Sequence, residues 1–429
     1  MDSRRQFLQK IGGGVAALST GAIFNLFDSQ DILNDLDRFR GTPSQLASDE
    51  DYWARVQQAF TVDRSLINLN NGGVSPSPEF VQAAMEKHLR FSNQAPVYNM
   101  WRILEPRREG VRQRLARNFG VDPEEIALTR NASESLQICQ LGIDLQKGDE
   151  VLTTDQDYPR MITTFKQRER REGVVLKQFS IPVPVEDDDE VVRLFERNIT
   201  PKTKMILISH IVNITGQILP VKKVVQMART KGIPVIVDGA HAFAHFSFTH
   251  SDLDCDYYTT SLHKWLFAPH GTGMLYVKKD KIKDLWPMMA APETMDEDIR
   301  KYEEIGTHPA ANYLAIGEAL TFHEGIGTER KEARLKYLND YWIDQLIDDE
   351  RIALHTSRNP KYACAIATVE IRGIEPAELT SRLWQKHRII VTPINHPQFK
   401  GIRVTPNVYT TLEEINRFAD AMKNEIKNG

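Results

Sequence analysis

Cysteine is nearly absent from this sequence, with three in 429 residues, at Cys139, Cys255 and Cys364. Their wide separation excludes the paired spacing of a zinc knuckle and an even-numbered disulfide framework. Each sits in an apolar or aromatic segment, where a thiol reads as a small buried hydrophobe. Long apolar runs are missing too: none reaches the roughly 18 residues of a membrane-spanning helix. Positive charge is not in excess, because 54 Lys and Arg face 58 Asp and Glu, a net charge of −4. That balance does not point to nucleic acid, whose binding calls for a basic surface. No repeat of roughly 20–50 residues recurs, which excludes a solenoid or propeller.

What is present is a long chain of ordinary composition, enough for two to three domains and a sizeable core. From residue 126 short apolar runs alternate with helical periodicity. Strands are expected at 126–129, 151–154, 174–179, 204–209 and 234–237, with helices at 161–172, 188–197 and 221–231 between them. This pattern predicts an α/β fold built on right-handed crossovers, with a mostly parallel sheet covered on both faces. The site of such a fold lies at the carboxyl ends of its strands. The arginine-rich segment 98–119 reads as one long helix whose charges form a solvated face. Beyond residue 365 the pattern changes to α+β, with strands at 365–371, 389–391 and 402–404 and helices at 377–387 and 412–427.

One stretch carries chemistry. Residues 254–277 read DCDYYTTSLHKWLFAPHGTGMLYV, with Lys264 between Ser261, His263 and the apolar Trp265-Leu266-Phe267. A lysine in such a setting is desolvated, which lowers its pKa and frees its amine to attack a carbonyl. The aldehyde cofactor that suits it is pyridoxal 5'-phosphate (PLP), bound as a Schiff base. Other strand ends offer contacts for that group. Asp238 follows a buried strand, and a buried carboxylate needs a cationic partner such as a protonated pyridine nitrogen. His241 and Asn213 are placed to meet the ring oxygen, and Tyr158 to stack on the ring. Ala132 and Ser133 open a helix whose free N–H groups suit a phosphate, with Ser261 and His263 beside it. Taken singly, Asp238 also reads as a helix cap, Tyr158 as a rim aromatic and Asn213 as a turn former.

Together their order is specific. The segments LNNGGVSP, TRNASESL, DQDYP, HIVNITGQILPV, VDGAHA, the Lys264 stretch, EIGTHP and GIRVTPNVYTT span about residues 66–412. With them the chain resembles the class V aminotransferase family of fold-type-I PLP enzymes, in its isopenicillin-N-epimerase-like branch. The resemblance implies a large PLP-binding domain at 66–300, with a seven-stranded type of sheet sandwiched by helices. It also implies a smaller α+β domain at 301–429 and an N-terminal helical segment at 31–65 packed on that small domain. Lys264 would be the Schiff-base lysine and proton shuttle, and Asp238 the partner of the pyridine nitrogen. Ala132, Ser133, Ser261 and His263 would hold the phosphate, with His241, Asn213 and Tyr158 at the ring. Thr307 would reach the phosphate of a partner subunit, which implies a homodimer. Arg403 would bind the carboxylate of the substrate, a small-molecule amine or amino acid. Tyr158 departs from much of the family, which has histidine near this place.

The reaction implied is transamination or epimerisation. A C–S or other β/γ-lyase, and modification of the amine of a secreted peptide, stay open, as does a pseudoenzyme that only binds a ligand. Cysteine desulfurases of the family need a nucleophilic cysteine shortly before the carboxylate-binding arginine. Residues 384–402 hold none, and Cys364 lies 39 residues before Arg403, so desulfuration is not expected. Finally, Ser3-Arg4-Arg5-Gln6-Phe7-Leu8-Gln9-Lys10 and the mild apolar run after it resemble a twin-arginine export signal in residues 1–30. The implied location is periplasmic or extracytoplasmic, by way of the twin-arginine translocation machinery. Cleavage or retention as an anchor is open.

Overall fold

Strands buried on both faces need helices above and below them, and the apolar runs of this chain fold that way. The computed structural model describes residues 29–36 and 38–428, so the twin-arginine pattern lies outside the described residues. Strand β1 (Ile67–Asn68) stands apart from the large sheet. That sheet contains β2 (Ile126–Thr129), β3 (Glu150–Thr154), β4 (Val175–Phe179), β5 (Thr203–Ser209), β6 (Val235–Asp238), β7 (Tyr257–Ser261) and β8 (Gly273–Val277). Its seven strands run in the order β2-β8-β7-β6-β5-β3-β4. β8 runs antiparallel to the other six strands of the sheet. Strands β6, β7 and β8 are buried throughout, whereas β4 closes the edge with partly exposed residues that include Lys177, a common way of blunting an open edge.

A second sheet of four antiparallel strands, β9 (Ile352–Leu354), β10 (Ala367–Ile371), β12 (Thr392–His396) and β13 (Phe399–Val404), has the order β12-β13-β10-β9. β11 (Ile389–Ile390) pairs in parallel with β1. A core of its own, with Ile67, Leu69, Trp342, Ile402 and Phe418, lies behind it. Among the described residues no helix is long and apolar enough to cross a membrane.

Two of the apolar cores each draw on both parts of the chain. Ile67 and Leu69, placed by sequence in the large domain, belong to the small core. Helix Ile316–Ile326, placed in the small domain, buries Ile316, Leu320 and Phe322 in the large core. The N-terminal helices join the same core through Leu36, Tyr52 and Trp53 and pack on helices Ile316–Ile326 and Thr328–Ile343, both inside the expected 301–429 unit. Arg334 of helix Thr328–Ile343 fastens them by donating to the carbonyl of Ala47 at 3.0 Å and pairing with Glu50. Helix Ile316–Ile326 presents apolar side chains widely enough to be covered from both sides.

The segment 98–119 is not one helix. A π-helical turn (Asn99–Leu104) and a 3₁₀ turn (Glu105–Arg107) precede the α-helix Arg108–Phe119. Pro106 removes the N–H that a continuous helix would need. Nor are all its charges solvated. Arg108 and Arg112 are buried and pair with Glu303 at 2.5 and 2.6 Å. Glu303 also accepts the N–H of Leu128 in β2 at 2.6 Å. Removing one member of a buried pair strands the rest. Glu303→Ala is therefore expected to lose about 3–5 kcal/mol in urea unfolding; a loss below about 1 kcal/mol, the level of an exposed pair, would contradict this account.

Candidate active site

The carboxyl ends of β2, β3, β5, β6 and β7 surround a cavity of about 350 Å³. Ala132, Ser133, Tyr158, Asn213, Asp238, His241, Ser261, His263, Lys264 and Arg403 all line it. Every site residue expected from the sequence is therefore here except Thr307. That residue is exposed and lines a separate surface hollow with Trp101, Arg108 and His308. Its expected reach into a partner subunit is not a property of one chain.

Lys264 sits in the turn that leaves β7. The turn is closed by Leu262 N–H donating to the Thr272 carbonyl at 3.0 Å and Ala268 N–H to that of Leu262 at 3.1 Å. Trp265, Leu266 and Phe267 anchor it in the core. Phe267 holds a left-handed φ of +64°, a conformation that costs a bulky residue about 1–3 kcal/mol and persists only where packing fixes it. The packing is visible. Phe60 meets the Phe267 ring edge-on, and Lys331 Nζ lies 3.9 Å from its centroid. Lys331 is fully buried and donates to the Trp265 carbonyl.

The Trp265 indole stacks on His245, with centroids 3.6 Å apart. His245 Nε2 accepts the N–H of Ala365 at 3.1 Å, which leaves Nδ1 to donate to the His241 carbonyl 2.7 Å away. Those two bonds fix one neutral tautomer, and burial lowers the His245 pKa to about 3. His241 in turn places Nε2 3.1 Å from Lys264 Nζ. Burial first, then the charges of Lys264 and Arg403, hold the His241 pKa well below its ordinary value. Lys264 thus meets a neutral imidazole whose backbone carbonyl is held by the His245 ring, itself stacked on Trp265.

Asp238 ends β6, and Oδ1 accepts the N–H of Ala240 at 2.9 Å. Burial raises its pKa to about 6, against the opposing pull of Lys264. Burial also lowers Lys264 to about 8, opposed by Asp238 and assisted by Arg403. Gly239 leaves room for this arrangement, since a Cβ there would stand 2.0 Å from the Tyr258 ring. Asp157 is saturated by Thr153, Thr154 and Ser209 at 2.6–2.8 Å and ties β3 to β5.

At the other end Asn131 caps helix Ala132–Gly142 by accepting the N–H of Glu134 at 2.8 Å. Ala132 N–H donates to Ser261 Oγ at 3.0 Å, which leaves the Ser261 hydroxyl proton for another acceptor. Gly273 brings β8 against this helix start, where a Cβ would stand 2.6 Å from Asn131 Cα. Arg403 enters from β13, donating to the Asn213 carbonyl at 3.0 Å and to Asn70 Oδ1 at 2.9 Å. Burial lowers its pKa to about 10.

Buried side-chain atoms without a partner include Asn213 Oδ1, His241 Nδ1 and Arg403 Nε, and each belongs to a residue lining this cavity. Unpaired buried polar groups are expensive and mark a place for a ligand. A primary amine, a carboxylate, orphaned ring-side groups and a helix start with hydroxyls form the donor set that PLP requires.

Sequence reasoning missed His245, Lys331, Asn70 and the bracing by Asp157. Asp157 lies within the DQDYP segment. His245 follows VDGAHA closely. Lys331 carries no local signal at all.

Fold and site together define an α/β enzyme architecture in which the turn between two sheet strands presents a half-buried amine to the start of a helix. The profile of the family "Aminotransferase class-V" matches residues 67–418, and the chain belongs to that family. It is 29% identical to the isopenicillin N epimerase of Streptomyces clavuligerus, over 86% of this chain and 97% of that one. Identity to the isopenicillin N epimerase of Amycolatopsis lactamdurans is 30%, over 86% and 98%. A probable cysteine desulfurase of Halalkalibacterium halodurans is 26% identical over 83% of this chain and 92% of that one. The fold is also that of a cysteine desulfurase from Thermococcus onnurineus (TM-score 0.74, 23% identity, 88% of this chain and 98% of that one). The expected exclusion of desulfurases gains no support from these matches.

The charge of Asp238 favours the protonated form of Lys264. Asp238→Asn is therefore expected to lower the Lys264 pKa further below about 8 in the cofactor-free protein. The pH dependence of amine labelling, followed by peptide mapping, measures it; an unchanged or higher value would contradict the assigned coupling.

Proposed function

We propose that this protein is a PLP-dependent enzyme that acts on the amine of an amino acid or a related small molecule, as an aminotransferase or an epimerase. The observation that carries the reading is Lys264, its amine 3.1 Å from His241 in a cavity that also holds Asp238 and Arg403. When bound, PLP supplies an electron-poor ring that takes up the electrons released as a bond to the substrate Cα breaks. Asp238 keeps a proton on the pyridine nitrogen. Ala132, Ser133, Ser261 and His263 bind the phosphate, and His241, Asn213 and Tyr158 orient the ring. Arg403 binds the substrate carboxylate, and its buried guanidinium makes that bond strong. Lys264, with its pKa near the working range, takes and returns the proton at Cα. Thr307 completes the site of a second subunit in a homodimer, and the N-terminus directs export by the twin-arginine route.

Epimerisation is supported by the two epimerase relatives at 29% and 30% identity. Desulfuration is the second reading, supported by the desulfurase relative. Against it stand the three cysteines, all buried, whose thiols burial raises above their ordinary pKa. None of them lines the cavity.

Purified protein given PLP is expected to show the visible band of a lysine-bound cofactor, and Lys264→Ala to lose it. A wild type without the band would refute the enzyme reading. Incubation with amino acids in deuterated water separates the reactions. A keto acid means transamination, and deuterium at Cα with loss of optical purity means epimerisation. Release of sulfur from cysteine would overturn both.

A further inference from the structure

The cavity of about 350 Å³ is near the lower limit of roughly 300–1,000 Å³ for small-molecule sites. PLP occupies the end between Ala132 and Asp238 in the reading above, so a substrate side chain has to extend toward the mouth. Tyr158, 39% exposed, and Arg160 stand in that lining. Arg160 is the second residue of helix Pro159–Glu172, whose first turn contains no acidic residue. A cation at this end of a helix is electrostatically disfavoured, because the free N–H groups already carry positive partial charge. Among the described residues no carboxylate pairs with it, whereas Arg168 and Arg171 farther along the same helix both pair with Glu172. The other charged side chains of the lining are committed. Asp238 and Lys264 serve the cofactor, and Arg403, held by Asn70 and Asn213, is left for one carboxylate. One cation at the mouth is left over.

We propose that Arg160 is a specificity residue that binds a second anionic group on the substrate, so that the preferred substrate class is an amino acid with a distal carboxylate or comparable anion. The inference rests on the PLP reading of the same site. Its cost to the protein is an exposed, uncompensated charge, and its return is discrimination between substrates that share the reacting centre.

The test is a spectral titration of the purified holoenzyme. Both enantiomers of aspartate against asparagine, glutamate against glutamine, and the next longer acid and amide homologues perturb the cofactor band on binding. At least one acid is expected to bind about tenfold more tightly than its amide, the scale of one charge-assisted hydrogen bond. Arg160→Gln should reduce that ratio to below about threefold while leaving the amide's affinity unchanged, and Arg160→Lys should restore part of it. A ratio near one for every pair in the wild type, or a preference that survives in Arg160→Gln, overturns the proposal. Absence of the band from the wild type is a different failure, since it defeats the PLP reading itself.

Discussion

The site depends on a half-buried amine, Lys264, and a buried carboxylate, Asp238, that share one cavity. Burial penalises both ionised forms. It moves Lys264 down to about 8 and Asp238 up to about 6, while their mutual attraction works the other way. At neutral pH the amine is still protonated and the carboxylate ionised, each closer to its titration point than it would be in water. The surrounding fold maintains that balance. Strand β6 delivers Asp238 and strand β7 delivers the Lys264 turn, and the two strands are neighbours in register. The left-handed Phe267, the His245–Trp265 stack and the buried Lys331 keep the turn from relaxing.

The small domain is part of this site. Arg403 comes from β13, and Asn70, which holds it, follows β1. Asn70 also accepts from Thr392 of β12 at 2.7 Å. Thr405 just beyond β13 accepts the N–H of Gly72 at the cavity lining, at 3.0 Å. Residues 67–72 therefore carry the small sheet to the edge of the cavity, which explains why this segment belongs to the small core although it precedes the large sheet in sequence. These hydrogen bonds tie the position of Arg403 to the packing between the two sheets.

Much of the fold was legible because it depends on periodicity. The continuous apolar runs at β3, β5 and β6 between helical segments specify a parallel sheet in any similar chain. Asp238 and Lys264 were legible because each stands at a strand end in a segment with a family resemblance. What stayed hidden depends on contacts remote in sequence. Arg108 and Arg112 look like solvated charges until Glu303, almost 200 residues away, is brought against them. Lys331 looks like one more helix-surface lysine, yet it is fully buried beneath the Trp265 carbonyl. Hydropathy reads a residue's type and not its partner, so buried charge is the class of feature it reads wrongly. Helix Ile316–Ile326 is apolar enough for either core, so hydropathy does not say which one it joins.

In the PLP reading of this site, one lysine among many, Lys264, holds the cofactor covalently. Both Lys264 and Lys331 are lysines whose pKa burial lowers, and they lie on opposite sides of the same turn. Only Lys264 lines the cavity. Reduction of the PLP-loaded protein with borohydride, followed by proteolysis and mass spectrometry of the pyridoxyl-bearing peptide, distinguishes them. The account predicts modification at Lys264 and at no other lysine. A pyridoxyl group on Lys331, or on surface lysines without selectivity, would contradict it.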